Sequence, residues 1–331
     1  MKIHSIAVIV GAVVLTVAVA TPAHASSPTH APDASSNAGL IVAEEFSDAN
    51  DGNSYIYSIH PDGTHKKILT TGYSDSAPEL SRDGRQVVFL RCTQLTACGD
   101  IGTVNVWTMR ADGTHLRQLT NCDGTNCLGA GNPTFSPDGR WIAFGLDQLD
   151  AHGVNYEGIF LERADGTQLT RVTINGSDNP PDEDPQFSPD GRYLIFDRED
   201  ADGAQAIVTV RVDGSHLRVL NPSLNAFSPG WSPRGDQLTF TLVHESAGST
   251  VLDIATMRPD GSHVRVLTST VPDLGAFLSS YSPDGRALVY TQRNAGGGGD
   301  LTIIPSNGGP AHAISTSTNF DAGADWGVLA N

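Results

Sequence analysis

Positive charge is scarce in this sequence of 331 residues. Lys and Arg number 20 against 37 Asp and Glu, which gives a formal net charge of −17 at pH 7. An acidic surface of this kind repels phosphate groups, so we expect neither nucleic acid nor an anionic membrane as a partner. Cationic and neutral partners remain open.

The motifs of common catalytic sites are also lacking. Segments 72–76 and 230–234 contain the first Gly and the Ser of a nucleophile elbow but not its second Gly. The glycine run at 296–299 does not follow a strand and open a helix, as a phosphate-binding loop requires. We therefore predict no catalytic residue from the sequence.

Cysteine is scarce as well, with four residues in two close pairs, Cys92 with Cys98 and Cys122 with Cys127. In an exported chain an even number favours disulfides, for which three connectivities exist. A structural zinc site is the alternative. The spacings of five and four intervening residues, together with export, argue against it. We expect disulfides and no metal at these positions.

Long apolar runs are absent apart from residues 6–20. With Lys2 before this run and Ala23-His24-Ala25 after it, residues 1–25 are predicted to be a secretory signal peptide. The run is short for a membrane anchor. Residues 26–39 are rich in Ser, Pro and Ala and are predicted to be a disordered linker. The mature product is expected to be soluble and secreted, either periplasmic or extracellular.

One short phrase recurs five times in the rest of the chain. Its copies are Ser81-Arg82-Asp83-Gly84-Arg85, Ser136-Pro137-Asp138-Gly139-Arg140, Ser188-Pro189-Asp190-Gly191-Arg192, Ser232-Pro233-Arg234-Gly235-Asp236 and Ser282-Pro283-Asp284-Gly285-Arg286. Their spacings of 55, 52, 44 and 50 residues indicate a repeat architecture. A hydrophobe precedes each copy and an apolar run follows it, so each copy is predicted to be a tight turn between two strands.

A second turn, Asp-Gly-Thr or Asp-Gly-Ser, follows two strands later in each repeat. Counting a degenerate copy at 307–310, there are six second turns against five first turns, and Trp326 occupies the position of a first-strand hydrophobe. We therefore predict an all-β, six-bladed β-propeller of four-stranded antiparallel blades, with the C-terminal strand pairing into the first blade. The expected blades within residues 40–331 are 40–70 plus 320–327, 77–120, 132–173, 184–220, 228–268 and 277–315. An open solenoid is the alternative, and it would leave Trp326 isolated.

The phrase aromatic-Ser-Pro-Asp-Gly-Arg, the strand after it, the Asp-Gly-Thr/Ser turn and a following Leu-Thr resemble the propeller repeats of the TolB family. The resemblance covers residues 40–327 and implies a WD40-like propeller with a binding face. The 14 residues from Ser26 to Gly39 are too few for the small α/β domain that precedes the propeller in that family. An appended hydrolase domain, as in prolyl-oligopeptidase relatives, is not expected either.

Functional residues are expected on the face where loops vary, since repeated turns are scaffold. The densest acidic run there consists of Asp178, Asp182, Glu183 and Asp184, and Asp147, His152 and Arg198 could join it from adjacent loops. A divalent cation or a cationic ligand is one interpretation, and a solvated acidic loop is the other. Four turn histidines, His65, His115, His216 and His263, are expected around the outer rim, where they cannot share one metal ion.

These observations favour a non-enzymatic, monomeric binding scaffold. Its expected partner is a protein, a peptide or a glycan, held at the loop-rich face, with no cofactor. The alternative is an exported propeller enzyme, either a lyase or a metal-dependent hydrolase, with its site at the channel mouth. Because propellers host such chemistry, the fold alone does not decide between the two.

Overall fold

A computed structural model describes residues 39–46, 53–93, 103–149, 155–173, 182–200, 203–246, 248–271, 274–316 and 319–330. Every regular element in these ranges is a β-strand, and the strands are numbered β1 to β24 along the chain. The predicted signal peptide and all of the predicted linker except Gly39 lie outside the described residues. No helix long and apolar enough to cross a membrane occurs in the described ranges.

Four of the sheets are separate, four-stranded and antiparallel. The first contains β4 (Ser74–Leu80), β5 (Gln86–Cys92), β6 (Val104–Arg110) and β7 (Arg117–Gln118), and the second β8 (Cys127–Phe135), β9 (Trp141–Leu149), β10 (Asn155–Arg163) and β11 (Thr170–Arg171). The third contains β12 (Asp182–Phe187), β13 (Tyr193–Glu199), β14 (Gln205–Arg211) and β15 (Arg218–Val219), and the fourth β16 (Asn225–Trp231), β17 (Leu238–Ser246), β18 (Ser249–Met257) and β19 (Arg265–Val266).

The other eight strands form one continuous sheet. They are β1 (Leu40–Phe46), β2 (Ser54–Ile59), β3 (Lys67–Ile68), β20 (Ala276–Tyr281), β21 (Ala287–Arg293), β22 (Gly299–Pro305), β23 (His312–Ala313) and β24 (Phe320–Gly327). β24 pairs antiparallel with β1, with Trp326 opposite Ile41. It also pairs parallel with β22, where Gly299 lies opposite Phe320.

The all-β propeller class agrees with the structure, but the predicted number of blades is wrong. Six separate four-stranded blades were expected, and the structure has four. The physical reason is the position of β24, which bonds to β22 as well as to β1 and so joins the first three and last five strands into one sheet. The repeated turns in the sequence carry no signal for that additional pairing.

The recurring Ser-Pro-Asp-Gly phrase forms the expected turns. In the second sheet Ser136 Oγ donates to Asp138 Oδ1 at 2.7 Å, and the Arg140 backbone N–H donates to the same oxygen at 3.1 Å. Gly139 adopts a φ of 68°, a left-handed conformation that costs Gly little. Its N–H donates to the Ser136 carbonyl at 2.8 Å, which closes the turn.

The first strand of each repeat lies around the central axis. β4, β8, β12, β16, β20 and β24 each contact the next strand in this order, and β24 contacts β4. Several of them bulge at a residue with positive φ, including Ala77, Ser228 and Leu278. The N–H of each bulge residue donates to a side chain of the preceding sheet: Ala77 to Glu44 Oε2 (2.9 Å), Ser228 to Asp197 Oδ1 (2.9 Å) and Leu278 to Thr241 Oγ1 (3.2 Å).

The hydrophobic core is divided among the spaces between neighbouring sheets. One cluster, for example, joins Val88 and Val106 of the first four-stranded sheet to Phe144 and Phe160 of the second. Another lies within the eight-stranded sheet, where Trp326, only 3% exposed, packs with Ile41 and Ile303. Each interface therefore depends on strands that are distant in sequence.

Trp326→Ala is expected to lower the free energy of unfolding by about 3–5 kcal/mol, because it removes a buried indole from the contacts among β1, β22 and β24. Urea denaturation followed by circular dichroism measures the change. Val328→Ala, at an exposed side chain two residues away, is the matched control and should stay within about 0.5 kcal/mol of the parent. A loss below about 1 kcal/mol for Trp326→Ala would contradict the role assigned to β24.

Candidate functional site

A central cavity of about 1230 Å³ is lined by all six axial strands. Its described lining is strongly acidic, with ten carboxylates against two cations. The carboxylates are Glu44, Glu79, Asp147, Glu157, Asp182, Glu183, Asp184, Asp197, Glu199 and Asp325, and the cations are Arg82 and Arg293. The cavity is therefore suited to a ligand that brings positive charge.

The Ser-Pro-Asp-Gly turns surround one end of this cavity. Arg82 takes the place of the proline found in the other four turns. Its side chain crosses the axis and donates from Nη1 to the Pro189 carbonyl at 3.0 Å. At the opposite, loop-rich end the lining residue Glu199 is exposed. The described lining of the cavity therefore extends to an exposed carboxylate at the loop-rich end.

A polar network fills the cavity near the turn end. Glu79 on β4 accepts hydrogen bonds from Thr134 Oγ1 (2.6 Å) and Gln186 Nε2 (2.6 Å), which lie on two different sheets. Asp325 on β24 accepts from Ser280 Oγ (2.7 Å) and from the Leu80 N–H (2.9 Å). Burial, followed by the charge of Asp325, raises the pKa of Glu79 to about 8. Glu79 thus carries a proton for much of the time at neutral pH.

Asp184 and Asp197 link three sheets half-way along the cavity. Asp184 accepts from Asn132 Nδ2 on β8 and from Ser228 Oγ on β16. Asp197 accepts the Ser228 N–H at 2.9 Å. Burial raises the pKa of both carboxyls, and the neighbouring charges of Asp184 and Glu183 raise that of Asp197 further. These two carboxyls therefore connect neighbouring sheets of the ring.

Asp182 and Arg198 form a bidentate ion pair across β12 and β13. Arg198 donates from Nε to Asp182 Oδ1 (2.6 Å) and from Nη2 to Oδ2 (2.8 Å), and the Asp182 side chain is fully buried. The first sheet has the same pair at the same register, with Arg91 bound to Asp75 at 2.7 and 2.8 Å. This recurrence indicates that the ion pair stabilises the fold. The Arg198 guanidinium is therefore already bound to Asp182.

Four further carboxylates gather at the loop-rich end, and we call them the acidic patch: Asp147 on β9, Glu157 on β10, Glu183 on β12 and Glu199 on β13. Asp147 and Glu157 are directly opposite one another across the strands. Burial and the Glu157 charge raise the pKa of Asp147 to about 7. Burial and all three neighbours, together with Asp184, raise the pKa of Glu183 to about 8.

Of the residues selected from the sequence, Asp147, Asp182, Glu183 and Asp184 line the cavity, and Arg198 contacts it through Asp182. His152 and Asp178 lie outside the described residues. The role of this set in binding stays a prediction. Cys122 and Cys127 form the expected disulfide. Cys92 is buried at the end of β5, and Cys98 is outside the described ranges.

Glu44, Glu79, Asp197 and Asp325 were not selected from the sequence. Glu79 and Asp325 each precede the hydrophobe at the end of an axial strand, Leu80 and Trp326 respectively. Superposing the repeats on that hydrophobe would have placed both at equivalent positions facing the axis. Single acidic residues that are far apart in the sequence form no visible cluster, unlike the run at 182–184. The fold nevertheless brings these single residues and the run to one cavity.

No three His, Cys, Asp or Glu side chains in the described part of the chain are arranged to hold a metal ion. The four turn histidines are apart from one another on the rim. Each of them has Nδ1 within 2.9 Å of the preceding Thr or Ser hydroxyl. They take part in local turn structure.

Arg198→Ala is expected to cost about 3 kcal/mol of unfolding free energy, because it leaves the buried Asp182 carboxylate without its cation. Urea titration measures this loss. Arg192→Ala, at a highly exposed arginine, should change stability by less than about 1 kcal/mol. Asp182→Asn added to Arg198→Ala should recover part of the loss. If Arg198→Ala is as stable as the parent, the pair does not stabilise the fold.

Stability should fall as pH rises from about 5 to 8. Glu79 has a pKa near 8 in the folded protein against an ordinary 4.5, so between these values the folded state binds more protons than the unfolded state. This contribution is complete below pH 4.5 and is lost as pH rises through 8. Glu79→Gln should flatten a plot of Tm against pH, whereas Glu245→Gln, at an exposed site, should not. Equal slopes in Glu79→Gln and the parent would contradict the raised pKa.

Comparison with known proteins places this geometry in a family. The TolB beta propeller domain matches residues 93–270 and 130–330. The Tol-Pal system protein TolB of Francisella tularensis subsp. mediasiatica (strain FSC147) is 26% identical over 263 residues, which cover 78% of this chain and 55% of that protein. The chain thus spans about half the length of the curated relatives it matches.

Solved structures resemble the fold at low sequence identity. TolB from Acinetobacter baumannii superposes with a TM-score of 0.71 at 20% identity, over 89% of this chain and 68% of that one. Oligogalacturonate lyase from Vibrio parahaemolyticus superposes with a TM-score of 0.53 at 14% identity, over 81% and 73%. Such likeness shows the fold alone. Together with the family match, which covers most of the sequence, it establishes that the chain belongs to the TolB beta propeller domain family.

Proposed function

We propose that this chain is an exported, non-enzymatic scaffold that binds a protein, peptide or glycan partner through its loop-rich face. The observation that carries the proposal is the acidic central cavity, which Arg82 crosses at the turn end and whose carboxylates extend to exposed Glu199 at the loop-rich end. A large cavity with charge of one sign is typical of a recognition surface.

The relatives support a role in a multi-protein system, since they are Tol-Pal system proteins. The predicted signal peptide and the Cys122–Cys127 disulfide agree with an oxidising compartment. A polyanionic partner is disfavoured, because ten carboxylates line the cavity against two cations. Among proteins, peptides and glycans, a protein or peptide can supply the complementary positive charge.

Catalysis is the second candidate function. Asp147 and Glu183, with pKa values raised to about 7 and 8, fall in the range in which carboxyls act as general acids or bases near neutral pH. A lyase acting on acidic polysaccharide would need positive charge to hold its substrate, which this cavity has little of. A binding scaffold therefore accounts for the charge of the cavity better than such a lyase does.

Binding can be tested by comparing two charge-reversed proteins with the parent. Glu183→Lys plus Glu199→Lys alters the loop-rich end, and Arg140→Glu plus Arg192→Glu alters the turn face. Each purified protein is immobilised and exposed to envelope and culture-medium proteins, and each captured species is then purified and titrated. We expect one partner whose Kd rises at least about tenfold with the loop-end variant and is unchanged with the turn-face variant.

A partner retained equally by both variants would contradict binding at the loop-rich face. The parent is also incubated with Mn²⁺ or Ca²⁺ and either polygalacturonate or fluorogenic peptides. Product formation that is lost in Asp147→Asn would favour the enzyme instead.

A further inference from the structure

Two carboxyls of the acidic patch, those of Asp147 and Glu183, lack the cations that usually accompany buried carboxylates among the described residues. Asp147 is only 8% exposed, yet no hydrogen bond or ion pair joins its carboxylate to another described residue. Burial and the charges of Asp184, Asp147, Glu199 and Glu157 raise the pKa of Glu183, and no hydrogen bond or ion pair joins its carboxylate to another described residue. A buried charge without a partner is costly, so these two carboxyls keep a proton for part of the time, and a bound cation would stabilise their charged form.

The basic groups near the cavity are already occupied or distant. Both donating nitrogens of Arg198 bind Asp182, and Arg82 binds the Pro189 carbonyl at the turn end. Arg293 lines the cavity from β21 in the eight-stranded sheet, whereas the patch belongs to the second and third four-stranded sheets. None of these described basic groups therefore supplies positive charge to Asp147 and Glu183.

The opposite side of the cavity is aromatic. Phe277 on β20 and Phe320 on β24 line it with their rings stacked at 6.1 Å, and Phe227 on β16 adds a third ring. In the order of axial strands, β20 and β24 are opposite β8 and β12, whose sheets carry the acidic patch. The cavity thus has an acidic wall and an aromatic wall.

We propose that the partner inserts a basic, aromatic polypeptide segment into this cavity. Its Lys or Arg side chains form ion pairs with the acidic patch, and its aromatic side chains pack on Phe277 and Phe320. The cavity of about 1230 Å³ exceeds the about 300–1,000 Å³ of ordinary small-molecule pockets and has room for several residues. This inference rests on the proposed function and specifies the chemistry of the partner.

The geometry favours an organic cation over a single metal ion. No three potential ligand side chains converge on one point in the described ranges, whereas an ammonium or guanidinium group can bind carboxylates that are spread along a wall. Arg and Lys side chains also reach such carboxylates while their stems contact apolar surface. One polypeptide ligand can therefore contact both the acidic wall and the aromatic wall.

Three fluorescein-labelled hexapeptides test the proposal by fluorescence anisotropy at low salt. They are Lys-Phe-Gly-Lys-Phe-Gly, Lys-Ser-Gly-Lys-Ser-Gly and Glu-Phe-Gly-Glu-Phe-Gly, each with a C-terminal amide. We expect the first to bind most tightly, the second to bind at least about tenfold more weakly, and the third not to bind. Affinity for the first should fall as NaCl is raised from 50 to 300 mM.

Asp147→Asn plus Glu183→Gln removes two ionisable carboxyls without breaking a hydrogen bond between described residues, and should weaken the first peptide about tenfold or more. Glu245→Gln plus Asp112→Asn, at exposed carboxylates outside the cavity, makes the same two kinds of substitution and should bind like the parent. Phe277→Ala should weaken the first peptide but not the second. Unfolding curves confirm that each variant is folded.

Equal losses of peptide affinity in the two double variants would contradict binding at the acidic patch, because the loss would then not depend on where the carboxyls were removed. Equal affinity for the first two peptides would contradict the proposal that aromatic side chains of the ligand pack on the aromatic wall. Failure of every peptide to bind, while the loop-end variant still loses a purified partner, would overturn this inference and leave the proposed function standing. Retention of that partner by the loop-end variant would count against the proposed function itself.

Discussion

Pairing of β24 with β1 is the interaction on which the rest of the structure depends. It places Trp326 between Ile41 and Ile303 and brings Asp325 next to the axis, where the carboxyl accepts the Leu80 N–H from the neighbouring sheet. With β24 in position, six axial strands enclose one cavity, and side chains from sheets far apart in sequence share it. The cavity is therefore a product of closure, and its chemistry belongs to no single repeat.

Closure also explains why so many carboxyls have raised pKa values. The protein around these groups shields them from water, and the described lining of the cavity supplies only two cations to compensate. The ring satisfies some of them with backbone and hydroxyl donors, as for Asp184, Asp197 and Glu79, and one with a guanidinium, as for Asp182. Asp147 and Glu183 receive neither among the described residues. This difference separates carboxyls that hold the ring together from carboxyls available to a ligand.

Repeated sequence predicts repeated structure well, and its failures here occur where repeats meet. Each of the five Ser-x-x-Gly turns, with its preceding hydrophobe, correctly indicated antiparallel strands and the propeller class. The blade count failed because one parallel pairing, between Gly299 and Phe320, merges two sheets and has no motif. Arg198 was selected as a ligand residue, yet the spacing of 16 between Asp182 and Arg198 also separates Asp75 from Arg91. That recurrence was visible in the sequence and indicates a structural pair.

The central claim is that a cation bound at the acidic patch supplies positive charge that the described part of the chain does not provide there. Isothermal titration calorimetry tests it most directly, with Lys-Phe-Gly-Lys-Phe-Gly amide titrated at pH 7.5 in two buffers of different ionisation enthalpy. A bound cation should lower the pKa of Asp147 and Glu183, which are about 7 and 8 in the free protein, so binding should release protons. The measured heat should therefore differ between buffers in the sense of proton release, and Asp147→Asn plus Glu183→Gln should abolish the difference. Binding without proton release in the parent protein would contradict the account.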